Sequence, residues 1–192
     1  ILLKNPGDPG AETLQAAVLA KKGQKAEALG RIEAVNRRHP HEPDAASLLT
    51  ALYTDQRRLG DAETVLRKAL EGKPRNVILL SNLSDTLVRL GRLDEAEETL
   101  KRLSEAEPKV FDHRVRMAAF YNHRKDLGKA EAVLGEAVRL DPDNEHRRLV
   151  FAEFMTTQKD PKAGEAILLQ AMNDLSRSTK IRFALGKLYE TT

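Results

Sequence analysis

Cysteine and tryptophan are absent from the 192-residue sequence, and aromatic residues make up only 4% of it. The absence of cysteine excludes disulfide bonds and thiolate chemistry. No apolar run approaches the roughly 20 residues that a membrane-spanning helix needs. With 32% charged residues and few aromatic ones, the composition favours small helices with solvated outer faces over one bulky core.

Neither sign of charge dominates, because 32 basic and 29 acidic residues leave a net charge of only +3. The two signs are mixed along the chain, whereas a nucleic-acid interface gathers its basic residues on one face. We therefore expect no nucleic-acid partner. The pI of about 9.1 is the one feature that keeps nucleic-acid binding as a third hypothesis.

Patterns for catalysis and for metal binding are missing as well. His39 and His41 have no Cys, Asp or Glu at metal-ligand spacing. No glycine-rich loop offers a phosphate site, and no nucleophile has an adjacent base. We expect no enzyme activity, no metal and no cofactor.

What the sequence does contain is a period of 34 residues. Prolines recur at that interval, and each ends an amphipathic helix, since proline disfavours helical geometry in the residue before it. An uninterrupted period of this length indicates a stacked array of helical repeats. The prolines are Pro6, Pro40, Pro74, Pro108 and Pro142.

The period divides the chain into five complete units and two fragments, with no linker between them. We predict residues 1–8 to be the tail of a truncated repeat and residues 179–192 to be the first helix of a further one. Each complete unit is predicted to be two helices joined by a turn, and in the first four units the turn is expected at a glycine: Gly23, Gly60, Gly91 and Gly128. The complete units are 9–42, 43–76, 77–110, 111–144 and 145–178.

One face of each helix carries apolar residues four and seven apart, such as Leu83, Leu87 and Leu90. We place Leu14 among the core residues of the first helix. A small residue recurs on each second helix where two helices approach closely, since a larger side chain there would overpack the contact. That position holds Ala28, Ala62, Ala96, Ala130 and Gly164.

These residues resemble the tetratricopeptide repeat family, whose 34-residue pattern is W-x2-L-G-x2-Y, then A-x3-F, then P. The stretch 185–189 (LGKLY) matches the L-G-x2-Y part. Leu80 stands in for the Trp, and Ala96 with Leu100 matches the second helix. The resemblance covers essentially the whole chain. It implies an all-α fold, a right-handed superhelical solenoid of antiparallel helix pairs.

The resemblance also implies a non-catalytic scaffold whose first helices line a concave groove for a peptide or a partner protein. The groove positions lie off the core stripe and hold mainly polar side chains here. Such a set suits charge-assisted contacts to a polar partner. The candidate binding residues are Thr54, Asp55, Asn82, Asp85, Arg89, Arg116, Asn122, His123, Glu153 and Lys187.

Two subtypes of the family fit poorly. Chaperone-binding repeats hold a C-terminal carboxylate with five residues, of which Asn82 and Arg116 have counterparts here. Ser47, Ala51 and Asp112 replace the other three. Glycosyltransferase-linked arrays carry an Asn ladder, of which only Asn82 is present. A substrate-presenting array within a larger enzyme stays an alternative to the scaffold.

The setting is predicted from composition and from the ends of the sequence. The Ala- and Arg-rich repeats are similar to arrays of bacterial envelope and exopolysaccharide-export systems. Because the chain opens with Ile1 and no Met, we expect a segment of a longer bacterial protein, from the cytoplasm or the periplasm. Cut repeats leave apolar faces uncovered, so we expect self-association through Phe183, Leu185 and Tyr189.

Overall fold

A computed structural model describes residues 7–191, and these residues form eleven α-helices and no β-strand. This confirms the predicted all-α repeat fold. The predicted helix tail at residues 1–6 lies outside the described residues. The first helices of the pairs are α1 (Pro9–Lys21), α3 (Pro43–Asp55), α5 (Val77–Arg89), α7 (Phe111–His123), α9 (Glu145–Gln158) and α11 (Thr179–Thr191). The second helices are α2 (Lys25–Arg38), α4 (Leu59–Gly72), α6 (Leu93–Ala106), α8 (Leu127–Leu140) and α10 (Pro161–Asp174).

The first helices begin at intervals of 34 residues, and several of their starts are set by a capping side chain. Asn76 Oδ1 accepts the N–H of Leu79 at 3.0 Å, and Asn144 Oδ1 accepts the N–H of Arg147 at 3.2 Å. Each cap satisfies one of the N–H groups that the first turn leaves without a partner. The repeat boundaries and the single array stay predictions. Across residues 7–191, no helix combines the length and the apolarity that crossing a bilayer requires.

In four of the five helix pairs the turn between the two helices contains one left-handed residue, which is not always glycine. Gly23 (φ 82°) and Gly91 (φ 74°) hold this position in two pairs, and Arg57 (φ 60°) and Lys125 (φ 61°) hold it in two others. The predicted turn glycines Gly60 and Gly128 instead lie at the second residue of α4 and of α8. That part of the turn prediction is therefore wrong.

The described residues divide into two compact units, and the first is formed by residues 7–107. Its helices α1 to α6 pack in sequence order, each against its neighbours. Ala28, Ala62 and Ala96 are fully buried, as expected for close contacts between helices. Leu14 is not a core residue, because it is 63% exposed. It lies two repeat lengths before Asn82 and so shares the register of the groove positions.

The second unit is formed by residues 108–191 and contains α7 to α11. Ala152, Leu168 and Ile181 form a core cluster of α9 to α11 together with Leu185, which is 7% exposed. Leu185 therefore cannot serve the predicted self-association, since its side chain already packs inside the unit. Phe183 is 76% exposed and Tyr189 is 53% exposed. Self-association through these two aromatic residues stays a prediction.

Candidate functional site

Five of the ten predicted binding residues line one cavity in the first unit. Thr54 and Asp55 come from the last turn of α3, and Asn82, Asp85 and Arg89 lie along one face of α5. The cavity has a volume of about 260 Å³. We call it the α3–α5 cavity. Its complete lining is Ser47, Thr50, Ala51, Thr54, Asp55, Asn82, Asp85, Thr86 and Arg89.

Most polar side chains of the α3–α5 cavity have no partner within the part of the chain that the structure describes. The Arg89 guanidinium, the Asn82 carboxamide and the Thr54 hydroxyl form no hydrogen bond or ion pair there. Asp55 differs, because its Oδ2 lies 2.7 Å from Lys25 Nζ. The cavity therefore presents available donors and acceptors beside the carboxylates of Asp55 and Asp85, neither of which is without a partner.

The second helices of the same unit show the opposite arrangement. Arg92 contacts both Glu63 and Glu95 at 2.6 Å, and Arg67 contacts the same two carboxylates at 2.6 and 2.7 Å. Hydrogen bonding from Arg92 is the main cause that lowers the pKa of Glu95. These ion pairs join α4 to α6, so the four charged groups are already paired within the protein. The first helices are therefore the better candidates for binding a partner.

A second cavity, of about 400 Å³, lies among α9, α10 and α11 and includes two more of the predicted residues. Glu153 and Lys187 line it beside apolar side chains that include Leu149, Leu168 and Leu188. In contrast to the α3–α5 cavity, its charged groups border a largely aliphatic wall. It suits an apolar side chain better than a polar one.

The remaining three predicted residues lie on α7. Asn122 Nδ2 donates to Gln158 Oε1 on α9 at 2.8 Å, so its amide is already used. Arg116 and His123 are exposed and line neither of the two cavities. The single groove that joins all ten residues stays a prediction.

A third cavity, of about 690 Å³, lies on α1 and α2 and includes none of the ten predicted residues. Leu14 and Val18 border it, and these side chains are 63% and 45% exposed. Arg31 and Asp8 lie at its edges. Its apolar walls suit packing better than recognition of a charged group.

Sequence reasoning missed two polar residues of the α3–α5 cavity as groove positions, Thr50 and Thr86. Thr50 and Thr86 are only 5% and 3% exposed, and their positions coincide with the core stripes. Hydroxyl residues at such buried positions are a signal that could have pointed to the cavity, since buried polar groups need partners.

Sequence comparison finds two matches to models of the tetratricopeptide repeat, one over residues 13–77 and one over residues 53–119. Together they run from residue 13 to residue 119, which is more than half of the chain. No curated protein matches the chain in sequence.

Solved structures of such repeat proteins are similar in fold. TTC0263 of Thermus thermophilus is 19% identical with a TM-score of 0.58, covering 95% of this chain and 99% of that one. The pilF protein of Pseudomonas aeruginosa is 17% identical with a TM-score of 0.64, and the match covers 95% of this chain and 84% of that one. YrrB, described as a repeat protein with an unusual peptide-binding site, is 17% identical with a TM-score of 0.59. The match covers 97% of this chain and 95% of that one. At these identities the likeness concerns the fold alone.

Proposed function

Since the chain belongs to the tetratricopeptide repeat family, we propose that it binds an extended peptide, or an extended segment of a partner protein, on the face formed by α3 and α5. Proteins of this family are interaction scaffolds with protein or peptide partners. In this proposal the chain is a non-catalytic scaffold. The observation that carries it is that Thr54, Asn82 and Arg89 line the α3–α5 cavity with side chains that form no hydrogen bond or ion pair among the described residues.

The residues of the cavity suggest how a peptide would be held. The Arg89 guanidinium offers paired N–H donors that match a carboxylate or a main-chain carbonyl. The Asn82 carboxamide both donates and accepts, so it can bind a peptide unit from either side. The ion pair between Lys25 and Asp55 holds the Asp55 carboxylate at one end of the cavity. An extended main chain beside these groups would satisfy donors and acceptors that are now available.

One further observation supports a peptide as the ligand. YrrB, a protein of similar fold, is described as having a peptide-binding site. We place the scaffold in a bacterial envelope or exopolysaccharide-export assembly, for which the Ala- and Arg-rich composition is the support.

The test is a pull-down with the full-length protein, comparing wild type with the double variant Asn82→Ala, Arg89→Glu. Neither side chain has a partner among the described residues, so we expect folding to be retained. The matched control is Arg37→Glu, which makes the same charge change at an exposed residue of the second helix α2. We expect the double variant to lose a partner that wild type and control both recover.

Two results would contradict the proposal. A partner that the double variant retains would place binding away from the α3–α5 face. A partner that proves to be nucleic acid, with an affinity that falls steeply as salt rises, would favour the third hypothesis, because counterion release dominates phosphate binding.

A further inference from the structure

One edge of the first unit gathers basic side chains. The edge is formed by the turns inside the helix pairs α1–α2, α3–α4 and α5–α6. These turns lie side by side, because Lys25 Nζ at the start of α2 is 2.7 Å from Asp55 Oδ2 at the end of α3, and Asp55 lines the α3–α5 cavity together with Arg89 at the end of α5. We give the name basic edge to four residues of these turns and helix ends: Lys21, Lys22, Arg57 and Arg89.

The four side chains of the basic edge are exposed and form no hydrogen bond or ion pair within residues 7–191. Two neighbouring arginines differ, because their charges are already paired. Arg58 Nε lies 2.7 Å from Asp61 Oδ2, and Arg92 contacts carboxylates of α4 and α6 at 2.6 Å. The ion pairs that stabilise these turns therefore leave the charges of the basic edge available to a partner.

Arg57 occupies a position that glycine would occupy at lower cost. Its φ of 60° is left-handed, and Gly23 and Gly91 hold the same position in the two flanking turns. Such a backbone is unfavourable for a residue other than glycine. The Arg57 side chain makes no contact that offsets this cost. An arginine at this position therefore indicates a role outside the fold, such as binding a ligand.

The basic edge adjoins the proposed peptide site, because Arg89 belongs to both. The helices α1, α3 and α5 contact one another in order. Packed helices lie about 8–10 Å apart, and an extended chain advances about 3.3 Å per residue. A peptide that leaves the α3–α5 cavity along this edge would thus pass one turn about every three residues. Carboxylates at that spacing would meet Arg89, Arg57 and Lys22 in succession.

A nucleic acid fits the same charges less well than an acidic peptide. Every nucleotide carries a phosphate, so some phosphates would lie beside the Asp55 and Asp85 carboxylates of the cavity. A peptide can place uncharged residues there. Tyr53 is the only Phe, Tyr or Trp within residues 7–107, and it is only 8% exposed. Bases would therefore find no aromatic ring on which to stack in this unit.

We propose that the basic edge binds acidic side chains of the peptide whose main chain occupies the α3–α5 cavity. The proposal rests on the proposed function and specifies the chemistry of its partner. Glu or Asp carboxylates about three residues apart accept hydrogen bonds from Arg89, from Arg57 and from the adjacent lysines Lys21 and Lys22.

The test uses nonapeptides with both ends capped, so that no terminal carboxylate is present. They carry Glu, Gln or Lys at positions two, five and eight and alternate Ser and Ala elsewhere. Binding is followed by amide chemical shifts in isotope-labelled protein. We expect the Glu peptide to shift Lys22 and Arg57, to bind about 10-fold more tightly than the Gln peptide at low salt, and to weaken as salt is added.

Arg57→Gly should weaken binding of the Glu peptide about 2- to 5-fold, the effect of one exposed ion pair. The variant relieves backbone strain, so it should be no less stable than wild type, and weaker binding would not reflect unfolding. The matched control is Lys125→Gly, which makes the same change at a left-handed residue of the second unit and should leave binding unchanged. Adding Lys21→Gln and Lys22→Gln to Arg57→Gly should extend the loss to about 10-fold. We call this combination the triple variant.

The other outcomes overturn the inference. Equal binding by the Gln peptide means that only the main chain is recognised, and tighter binding by the Lys peptide means that Asp55 and Asp85 select the ligand. An equal loss from Arg57→Gly and Lys125→Gly means that net charge alone attracts the peptide. Tighter binding by a ten-nucleotide oligothymidylate means that the edge takes a nucleic acid. The absence of any shift means that water alone solvates these cations.

The pull-down distinguishes this inference from the proposed function. If Asn82→Ala, Arg89→Glu loses the partner while the triple variant retains it, the scaffold proposal stands and this inference fails. If both variants retain the partner, both proposals fail. If the triple variant alone loses it, the partner binds without the cavity, which also contradicts both proposals. Loss of the partner in both variants, with retention in Lys125→Gly, is the expected result.

Discussion

The fourth position of the first helix is occupied by different chemistry in the two units. In the first unit, Ala46 of α3 and Leu80 of α5 are fully buried there, whereas α1 has Glu12, which forms an ion pair with Arg38 of α2. In the second unit the same position holds arginines, and each donates to the carbonyl oxygen six residues earlier. Arg114 reaches Pro108 O at 2.8 Å, Arg148 reaches Pro142 O at 2.8 Å, and Arg182 reaches Ser176 O.

Both units nevertheless use arginine to satisfy carbonyl groups in the turns between repeats. In the first unit the arginine comes from elsewhere, since Arg102 of α6 donates to Pro74 O at 3.2 Å. Arg75, which lies in that turn, donates to the carbonyl oxygen of Glu105 in the last turn of α6 at 2.9 Å. Leu80, the fourth residue of α5, is thus apolar where Arg102 of α6 donates to the carbonyl oxygen six residues earlier. The difference teaches that the same turn carbonyl can accept from an arginine of the following first helix, as at Pro108, Pro142 and Ser176, or from an arginine of a second helix, as at Pro74.

The strongest test of this comparison places an arginine, as found at the fourth position of the first helices in the second unit, at the fourth position of α5 in the first unit. Leu80→Arg should destabilise the protein by about 3–5 kcal/mol, the typical result of an uncompensated buried charge. The carbonyl that the new guanidinium would need, Pro74 O, already accepts from Arg102. Urea unfolding measures the change in stability, and Ile78→Arg, at a 51% exposed position of the same helix, is the control. A loss of stability below about 1 kcal/mol, little more than that of an exposed substitution, would mean that arginine and an apolar residue are interchangeable at this position.

The reciprocal test removes the buried guanidinium of the second unit. Arg148 is only 6% exposed, and it also forms an ion pair of 2.8 Å with Asp174. Arg148→Met keeps most of the aliphatic packing but leaves Pro142 O without its donor, so we expect a loss of about 2–3 kcal/mol. Hydrogen exchange of the α9 amides would locate the loss in the second unit. Arg139→Met, at an exposed position, is the control. If both variants lowered the stability equally, the hydrogen bond from Arg148 to Pro142 O would not be what stabilises this unit.

A third variant compares the close contact between helices in the two units. The position is Ala96 in the first unit and Gly164 in the second, where a Cβ atom would lie 1.8 Å from Thr156 Oγ1 and 2.9 Å from Ala152 O. Gly164→Ala should therefore destabilise the protein by about 1–2 kcal/mol, because overpacking exceeds the better helix propensity of alanine. Thermal unfolding checks this, and adding Thr156→Ala should recover part of the loss. If Gly164→Ala raised the melting temperature, the contact would be looser than the geometry indicates.

The fold was predictable because the period is a direct physical consequence of helix packing. Pro9, Pro43 and the residues 34 apart from them fix where first helices begin, and the small residues at Ala62 and Ala96 fix where pairs touch. The turns were less predictable. A left-handed residue favours glycine, but Arg57 and Lys125 adopt that conformation too. Local preference is a weak guide where the packing of two helices imposes the backbone.

The candidate site was predictable only in part. Asn82, Asp85 and Arg89 share one helical face by spacing alone, and the structure brings them together with Thr54 and Asp55. Sequence spacing does not reveal which polar groups are already paired. The bond between Asn122 and Gln158 and the orphaned hydroxyl of Thr50 depend on side-chain positions across different helices. These contacts arise from packing between helices, which one helix face does not specify.

The smallest expected effect concerns a feature in which the two units are alike. Arg57 and Lys125 have positive φ angles of 60° and 61° in their turns, a conformation that costs a non-glycine residue energy. Both are exposed and have no side-chain partner among residues 7–191, so replacement removes no contact. Arg57→Gly and Lys125→Gly should each stabilise the protein by about 0.5–1 kcal/mol, because the strain relieved exceeds the added entropy of the unfolded chain. Gly91→Ala should be destabilising by a similar amount. Urea midpoints of the three variants test this, and a gain from Lys125→Gly without one from Arg57→Gly would show that the turn of the first unit tolerates its side chain without strain.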